Sequence, residues 1–530
     1  MSKKRIFAFL LAASLSAGAL VSCGGGGESS TASTDASGST STSESGSETA
    51  SAGESGSSDE TYQITMCYPG PADQTDYQKV MDAINELTME ELNMTFNGIQ
   101  LGFGDWTDRI RLMLTGGEKL DIVPTFATQA SAYVSQNLVL NLLDWNGVNL
   151  LDEYGSGIVE AVGEEQAYGG QINGVLYGIP SQKEAMGTAG IVMRKDIVDE
   201  LGLDYENWHT YEDLYDAFAQ VHEAHPELNV VSGTNLITQF YPYDSLNDSL
   251  GVLMMDDPDN LTLDVVNLYE TDYYNTQAAI VHEWYTNGWV MLDAATTTET
   301  NSGLMRAGNL FCYMSPIKPG FLAQEESLTG RELVTQVLYE DWDIIGSLNI
   351  HYVNWGIAHQ SEDPVKAMEF LEFAFTNGEF EDLLNFGIEG EHYVHMDGSD
   401  VMVTYPEGVD STNCGYHLAV GWALPNQFVG SIWEGNPEDV WDQYRACNEA
   451  SLWSKAYGFI PDTSSPEIAN LQTALTNVQN TYINSIGCGA VDPAVVIPQM
   501  NEELYAAGLQ DYMDEKQRQL DEWAAANGVS

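Results

Sequence analysis

From Tyr62 to Val123 the chain alternates between two periodicities, and every pair of strand-like runs is separated by a helix-length segment. Tyr62-Gln63-Ile64-Thr65-Met66-Cys67-Tyr68 alternates large apolar with smaller, mostly polar residues, as a strand does, and Pro69-Gly70-Pro71 turns the chain. Between Tyr77 and Leu92, Val80, Met81, Ile84, Leu87 and Leu92 recur at spacings near three and four, one face of a helix. A strand from Met94 to Ile99 follows. Trp106, Ile110, Met113 and Leu114 then mark a second helix, stopped by Gly116-Gly117 before a strand from Leu120 to Val123. Parallel strands need crossovers of a dozen or more residues, which these helices supply. The order predicts an α/β unit with a mainly parallel sheet flanked by helices, in which ligands collect at the carboxyl ends of the strands. Further helices are expected over Tyr211 to His222, Tyr274 to Asn287, Pro364 to Thr376 and Pro466 to Ile486. In the last of these Ser465 is placed to cap, Pro466 sits in the first turn, and Ile468, Leu471, Leu475, Val478 and Tyr482 form the stripe.

Ahead of this body stand Lys3, Lys4 and Arg5, then an apolar run from Ile6 to Leu20 that is short for a bilayer span. That is the layout of a secretory signal peptide over residues 1–22. The run ends in Leu20-Val21-Ser22-Cys23, which resembles a bacterial lipobox, so Cys23 is expected to carry the lipid and become the mature N-terminus. Residues 24–60 contain only Gly, Ser, Thr, Ala, Glu and Asp. Nothing there repays the entropy of ordering. The expected tether holds the body on average roughly 35 Å from its anchor.

About 470 residues remain, enough for two lobes with separate cores. A formal net charge of −61 repels phosphate backbones and anionic headgroups, which argues against a nucleic-acid partner. Beyond Cys23, Cys67, Cys312, Cys414, Cys447 and Cys488 show no Cys-x-x-Cys pair. Cys67 and Cys312 sit in apolar runs that suit buried thiols, and pairing among the others stays open. The body has neither a Gly-x-Ser-x-Gly elbow nor a phosphate loop, and His222-Glu223-Ala224-His225 lacks the His-Glu-x-x-His spacing. No metal or cofactor is expected. With 79 Asp and Glu, carboxylate pairs for a glycosidase are available anywhere and prove nothing.

Several segments, in order, resemble the extracellular solute-binding proteins of ABC importers, in the group that includes maltose-binding protein. Leu114-Thr115-Gly116-Gly117-Glu118-Lys119-Leu120-Asp121-Ile122-Val123 is similar to the family's helix-to-strand junction, and Ile172-Asn173-Gly174-Val175-Leu176-Tyr177-Gly178-Ile179-Pro180 to its "Asp-Gly-Lys-Leu-Tyr-Gly-Ile-Pro" strand, with Asn and Val replacing Asp and Lys. Val192 to Asp196, Met305 to Gly320 and Asp363-Pro364-Val365-Lys366-Ala367 resemble later family segments. Gly387 to Tyr393, and the stretch from about Gly458 to Trp523, resemble a Gram-positive lipoprotein subgroup whose C-terminal domain has no assigned function.

The resemblance implies a two-lobed periplasmic-binding-protein-like fold with the ligand cleft between lobes. Lobe 1 would comprise 61–188 and 314–358, and lobe 2 would comprise 189–313 and 359–530 with the C-terminal helices. Crossings would fall near 186–190, 312–316 and 357–361. It implies a non-enzymatic lipoprotein on the extracellular face of the cell membrane. Its partners would be a small solute, a sugar or oligosaccharide foremost, and the permease subunits of an ABC transporter. A peptide or other small solute is the alternative ligand; a glycan-active enzyme or a surface adhesin would share the anchor and tether, but an adhesin does not need the two-lobe segment order. Sugars present apolar ring faces and hydroxyl edges, so a receptor needs aromatic platforms beside polar groups. By family placement these are Phe126, Gln129, Lys183, Glu184, Phe240, Tyr241, Tyr243, Lys318 and Trp355, with Tyr241 and Trp355 the preferred pair.

Overall fold

The computed structural model describes residues 61–70, 74–102, 106–185, 188–237, 241–297, 299–411 and 413–529. The expected signal peptide, Cys23 and tether lie outside the described residues, as does Phe240.

Lobe 1 starts with β1 (Tyr62–Pro69), which pairs in parallel with β2 (Met94–Leu101) from Tyr62 opposite Met94 to Pro69 opposite Leu101. The crossover is α1 (Tyr77–Leu92), which buries Val80, Met81, Ile84 and Thr88. Each large apolar side chain so buried contributes about 1.5–3 kcal/mol. The helix ends at Asn93, whose φ of 52° suits a short polar side chain better than a branched one. α2 (Trp106–Gly116) buries Trp106, Ile110, Met113 and Leu114 and leads into β3 (Ile122–Phe126), also parallel to β1. The short β4 (Ile179–Pro180) forms one edge of this sheet.

Lobe 2 follows with β5 (Thr188–Arg194), α3 (Tyr215–Ala224), β6 (Asn229–Ser232), α4 (Asp272–Thr286), β7 (Leu310–Ile317), α5 (Phe321–Thr329) and β8 (Leu333–Val337). Its sheet order is β8-β5-β7-β6, with β5 antiparallel to both neighbours and β7 parallel to β6. The chain returns through β9 (Ile344–Ile345) to β10 (Val353–Ile357), which enters the lobe 1 sheet antiparallel to β3 and β4 and gives the order β2-β1-β3-β10-β4. α6 (Pro364–Thr376), capped by the Asp363 side chain on Lys366 N, and α7 (Gly378–Asn385) pack Met368, Phe370, Leu371, Phe375 and Phe380 into the same core as Ile64 and Met66. After α8 (Val440–Ala450), β11 (Leu452–Trp453) lies parallel to β9, so two crossings run side by side. Finally α9 (Pro466–Gly487), α10 (Pro493–Ala506) and α11 (Leu509–Asn527) place Leu475, Ile486, Ile497, Met500 and Leu504 in the core that holds Trp284 and Phe311 of lobe 2.

The α/β two-lobed fold is as expected; three of its details are not. Both sheets are mixed rather than mainly parallel. Local βαβ strands aim their carboxyl ends at the cleft, so a strand arriving across the cleft, β5 or β10, runs against them. The lobe boundaries also move. β7 does not leave lobe 2 near 312–316, because Cys312 to Ile317 pair with Met193 to Thr188, and β8 stays in that sheet too. Ala367 to Leu424, expected in lobe 2, contribute to the core of lobe 1. The return crossings therefore lie around β9 and β11, not at 312–316 and 357–361. Lastly, the helix expected from Tyr211 begins at Tyr215, after a 3-10 turn at Glu212–Leu214.

Candidate functional site

A cavity of about 650 Å³ lies between the lobes, within the range of small-molecule sites. Its walls are the loop after β4, the end of β7, the segment Tyr241 to Ser245, and the stretch joining β9 to β10.

Glu184, at the lobe 1 side, spans the gap. Its Oε1 accepts from Lys318 Nζ of lobe 2 at 2.7 Å, and its Oε2 accepts from Gln427 Nε2 at 2.7 Å. Burial pushes the Glu184 carboxyl up, but Lys183, Lys318 and the two donated hydrogen bonds outweigh it and hold the group below the ordinary carboxylate range. Burial pulls the Lys183 ammonium down, against the pull of Glu184. Lys183 Nζ also lies 4.9 Å over the Tyr352 ring and donates to the Glu184 carbonyl at 2.7 Å. The loop is clamped by both return crossings: Asn448 Oδ1 accepts from Ala185 N at 2.8 Å, and Asn349 Nδ2 donates to Ala185 O at 2.8 Å.

Opposite, Tyr241 and Tyr243 stack with centroids 4.4 Å apart, and both line the cavity. Asp244 is held by Leu246 N at 3.1 Å, Ser347 N at 2.8 Å and Ser347 Oγ at 2.8 Å. Behind the wall, Asn354 Nδ2 donates to Tyr177 Oη at 3.0 Å, Tyr177 donates to His351 Nδ1 at 2.7 Å, and His351 Nε2 donates to Gly458 O at 3.0 Å. Burial pulls His351 down to about 4, so the neutral ring ties the two crossings together.

Of the residues expected from the sequence, Lys183, Glu184, Tyr241, Tyr243 and Lys318 line this cavity; Phe126, Gln129 and Trp355 do not. Trp355 is fully buried in the middle of β10, between Pro124 and Ile179, with its indole N–H on Ser181 Oγ at 3.1 Å. It is core, because β10 has a strand on each edge and helices over its face. The Phe126 ring packs 4.1 Å from Trp106 and 6.5 Å from Tyr352, behind the wall, and Gln129 sits in the helix Ala127–Ser135. The cavity also takes Asp244, Asn349, Tyr352, Asn448, Trp453 and Tyr457, which sequence reasoning did not single out. For Tyr352 a signal existed: Val353 to Ile357 is a short bounded run of the fully buried kind, so the ring one position before it falls at the mouth. Asn448, Trp453 and Tyr457 arrive through a crossing that no local pattern marks. Among the described residues no cluster of three His, Cys, Asp or Glu is placed to hold a metal, all five cysteines are free thiols, and no helix is long and apolar enough to cross a membrane.

Two α/β lobes that share side-by-side crossings and enclose a ligand-sized cavity define a solute-receptor architecture. Residues 71–379, more than half of the chain, match the family described as bacterial extracellular solute-binding protein, and the chain belongs to that family. Residues 455–525 match a domain of unknown function, DUF3502. A carbohydrate ABC transporter substrate-binding protein of Streptococcus pneumoniae is 23% identical over 456 residues, 83% of this chain and 86% of that protein. The crystal structure of an N-glycan transport solute binding protein from Streptococcus pneumoniae is similar with a TM-score of 0.75 at 21% identity, covering 87% of this chain and 99% of the other. An extracellular solute-binding protein from Bifidobacterium longum subsp. infantis is similar with a TM-score of 0.63 at 12% identity, covering 88% and 99%. These structural likenesses carry the fold.

Proposed function

We propose that the protein is the substrate-binding component of an ABC importer for a carbohydrate, anchored outside the membrane by a lipid on Cys23, and that it binds its ligand without altering it. The observation that carries this reading is the interlobe cavity itself, with the half-buried Tyr241, stacked on the buried Tyr243 behind it, on one wall and Glu184, Lys183 and Lys318 on the other. Aromatic faces suit sugar rings, and paired charges suit hydroxyl edges. The name of the Streptococcus pneumoniae relative supports the same ligand class. Both carboxylates lining this cavity are committed, Glu184 to Lys318 and Gln427, Asp244 to Ser347 and Leu246 N. Neither is free to serve as the acid or the base that hydrolysis within this cavity needs. Ligand held between the lobes favours the closed arrangement over the open one, the difference a permease reads.

Purified mature protein is tested against panels of neutral glycans, acidic glycans and peptides by thermal shift, with reducing ends assayed in parallel. A shift with glycans and no new reducing ends is expected. New reducing ends overturn the receptor reading, and a shift with peptides alone overturns the carbohydrate assignment. Labelling cells with a fatty-acid analogue tests the anchor: the wild type takes label and Cys23→Ala does not, while an unlabelled wild type refutes it.

A further inference from the structure

A second cavity, of about 850 Å³, adjoins the first and shares Glu184, Lys318 and Gln324 with it. One wall is α5 of lobe 2 with the residue before it, through Gly320, Ala323 and Leu328; the other is the segment from α7 to α8, whose first part, to Leu424, packs on lobe 1. Aromatic rings line it densely. Trp433 is half-buried and backed by Phe386 at 5.3 Å, His417 at 4.4 Å and Tyr405 at 4.7 Å. The half-buried Trp441 packs on Tyr444 at 5.7 Å. Trp422, which lines this second cavity, lies 6.3 Å from Tyr352, which lines the first, so aromatic surface is continuous between them.

The polar groups there carry no unpaired positive charge. Glu381 lines the second cavity with both carboxylate oxygens buried and without a partner. Burial, with the neighbouring Asp382, pushes its carboxyl well above the ordinary range and favours the protonated form, which can both donate to and accept from a hydroxyl. His417 Nδ1 is likewise without a partner, and burial, with His392 adding, holds that ring neutral at physiological pH, pulled down to about 4. Lys183 and Lys318, the lysines lining the two cavities, flank the single carboxylate of Glu184, while Asp244 and Glu434 add further negative charge. No arrangement of cations in excess awaits an anionic ligand in these two cavities.

We propose that the second cavity is an extension subsite of the same cleft, so that the receptor takes a neutral oligosaccharide of several rings, running from Tyr241 and Tyr243 past Glu184 and Lys318 to Trp433. This rests on the carbohydrate reading above and narrows it. Each cavity alone has the volume of a site for one small ligand, so the pair is oversized for a mono- or disaccharide. A uronate-bearing chain would bury its carboxylates beside Asp244 and Glu434 without a free cation.

The test is isothermal titration calorimetry of the mature protein at pH 7 against malto-, cello-, manno- and chito-oligosaccharides of graded length, from disaccharides to hexasaccharides, with oligogalacturonates as the acidic comparison. In the series that binds, affinity is expected to rise at least tenfold from disaccharide to pentasaccharide, and the oligogalacturonates are expected to bind more weakly than neutral chains of equal length. Trp433→Ala should abolish the gain with length. Because Trp433 also packs against Phe386 and His417, Ala323→Trp provides a second variant, which obstructs the cavity from the α5 wall and should abolish the same gain. A disaccharide that binds as tightly as its longer homologues, or tighter binding of the acidic series, overturns the extension subsite while the receptor reading stands. No binding of any glycan overturns the carbohydrate reading itself, and the subsite with it.

Discussion

The C-terminal helices are fastened to lobe 2 by a buried ion pair whose removal has a calculable effect. The Lys516 side chain on α11 is 1% exposed, and its ammonium donates to Asp248 Oδ1 at 2.7 Å and to the carbonyls of Leu250 and Gly251 at 3.2 Å each. Asp248 also accepts from Tyr512 Oη and from Gln472 Nε2 at 3.1 Å, so three side chains donate to one carboxylate. Asp248→Asn keeps the size of the side chain and deletes the counter-charge. Breaking a buried pair from one side costs about 3–5 kcal/mol. The two remaining carbonyls place the expected loss at the lower end, about 3 kcal/mol. At roughly 2–4 °C per kcal/mol for a unit of this size, lobe 2 should melt about 6–12 °C earlier by scanning calorimetry. Asp248→Leu combined with Lys516→Met should recover most of the loss, since apolar replacement of both partners is often neutral or stabilising. A shift below about 2 °C for Asp248→Asn, or a chain truncated after Pro461 whose lobe 2 melts unchanged, would falsify the reading of α9 to α11 as part of the lobe 2 core.

Glu184→Gln leaves Lys183 and Lys318 near one another without a counter-ion, and ligand affinity should fall about tenfold by calorimetry, equivalent to ~1.4 kcal/mol; an unchanged Kd contradicts the interlobe role. Trp355→Ala should cost about 3–5 kcal/mol of stability in urea denaturation because it opens a core cavity. Tyr241→Ala should instead weaken ligand binding with a smaller loss of stability, and the reverse pattern would return Trp355 to the site. His351, near 4 when folded against about 6.5 when free, favours the folded state through its neutral form. Its contribution is complete above about 6.5 and is lost as the pH falls toward 4, up to about 3 kcal/mol. His351→Asn should therefore flatten the decline in stability between pH 7 and pH 4.5, and an unaltered decline refutes the assignment.

Local order was legible wherever the signals lie within one turn or one pleat. α1 and α6 occupy the expected spans Tyr77–Leu92 and Pro364–Thr376, because apolar spacing and, at Asp363 before α6, a capping residue act over three or four positions. The Ser465 side chain accepts from Ile468 N at 3.3 Å, and Pro466 opens α9 as expected. At Tyr211 the same reasoning placed the start four residues early, since a 3-10 turn and a helix share an apolar stripe over so short a stretch.

By itself, the sequence determined the alternation of strands and helices, the two-lobed α/β class and the family, and it singled out Lys183, Glu184, Tyr241, Tyr243 and Lys318, which line the cavity. Those properties follow from short-range periodicity and from motifs that keep their order along the chain. Tertiary structure alone decided the sense of the sheets, the lobe to which Ala367 to Leu424 belong, and the composition of the cleft. The strand order sets Cys312 beside Met193 and Trp355 between Pro124 and Ile179, pairings across more than a hundred residues that no local pattern encodes. A tryptophan in an apolar run reads alike whether its strand is central or at an edge. Only the strand on each side of it makes Trp355 core, and only the parallel meeting of Ile344–Ile345 with Leu452–Trp453 brings Asn448, Trp453 and Tyr457 to the ligand cavity.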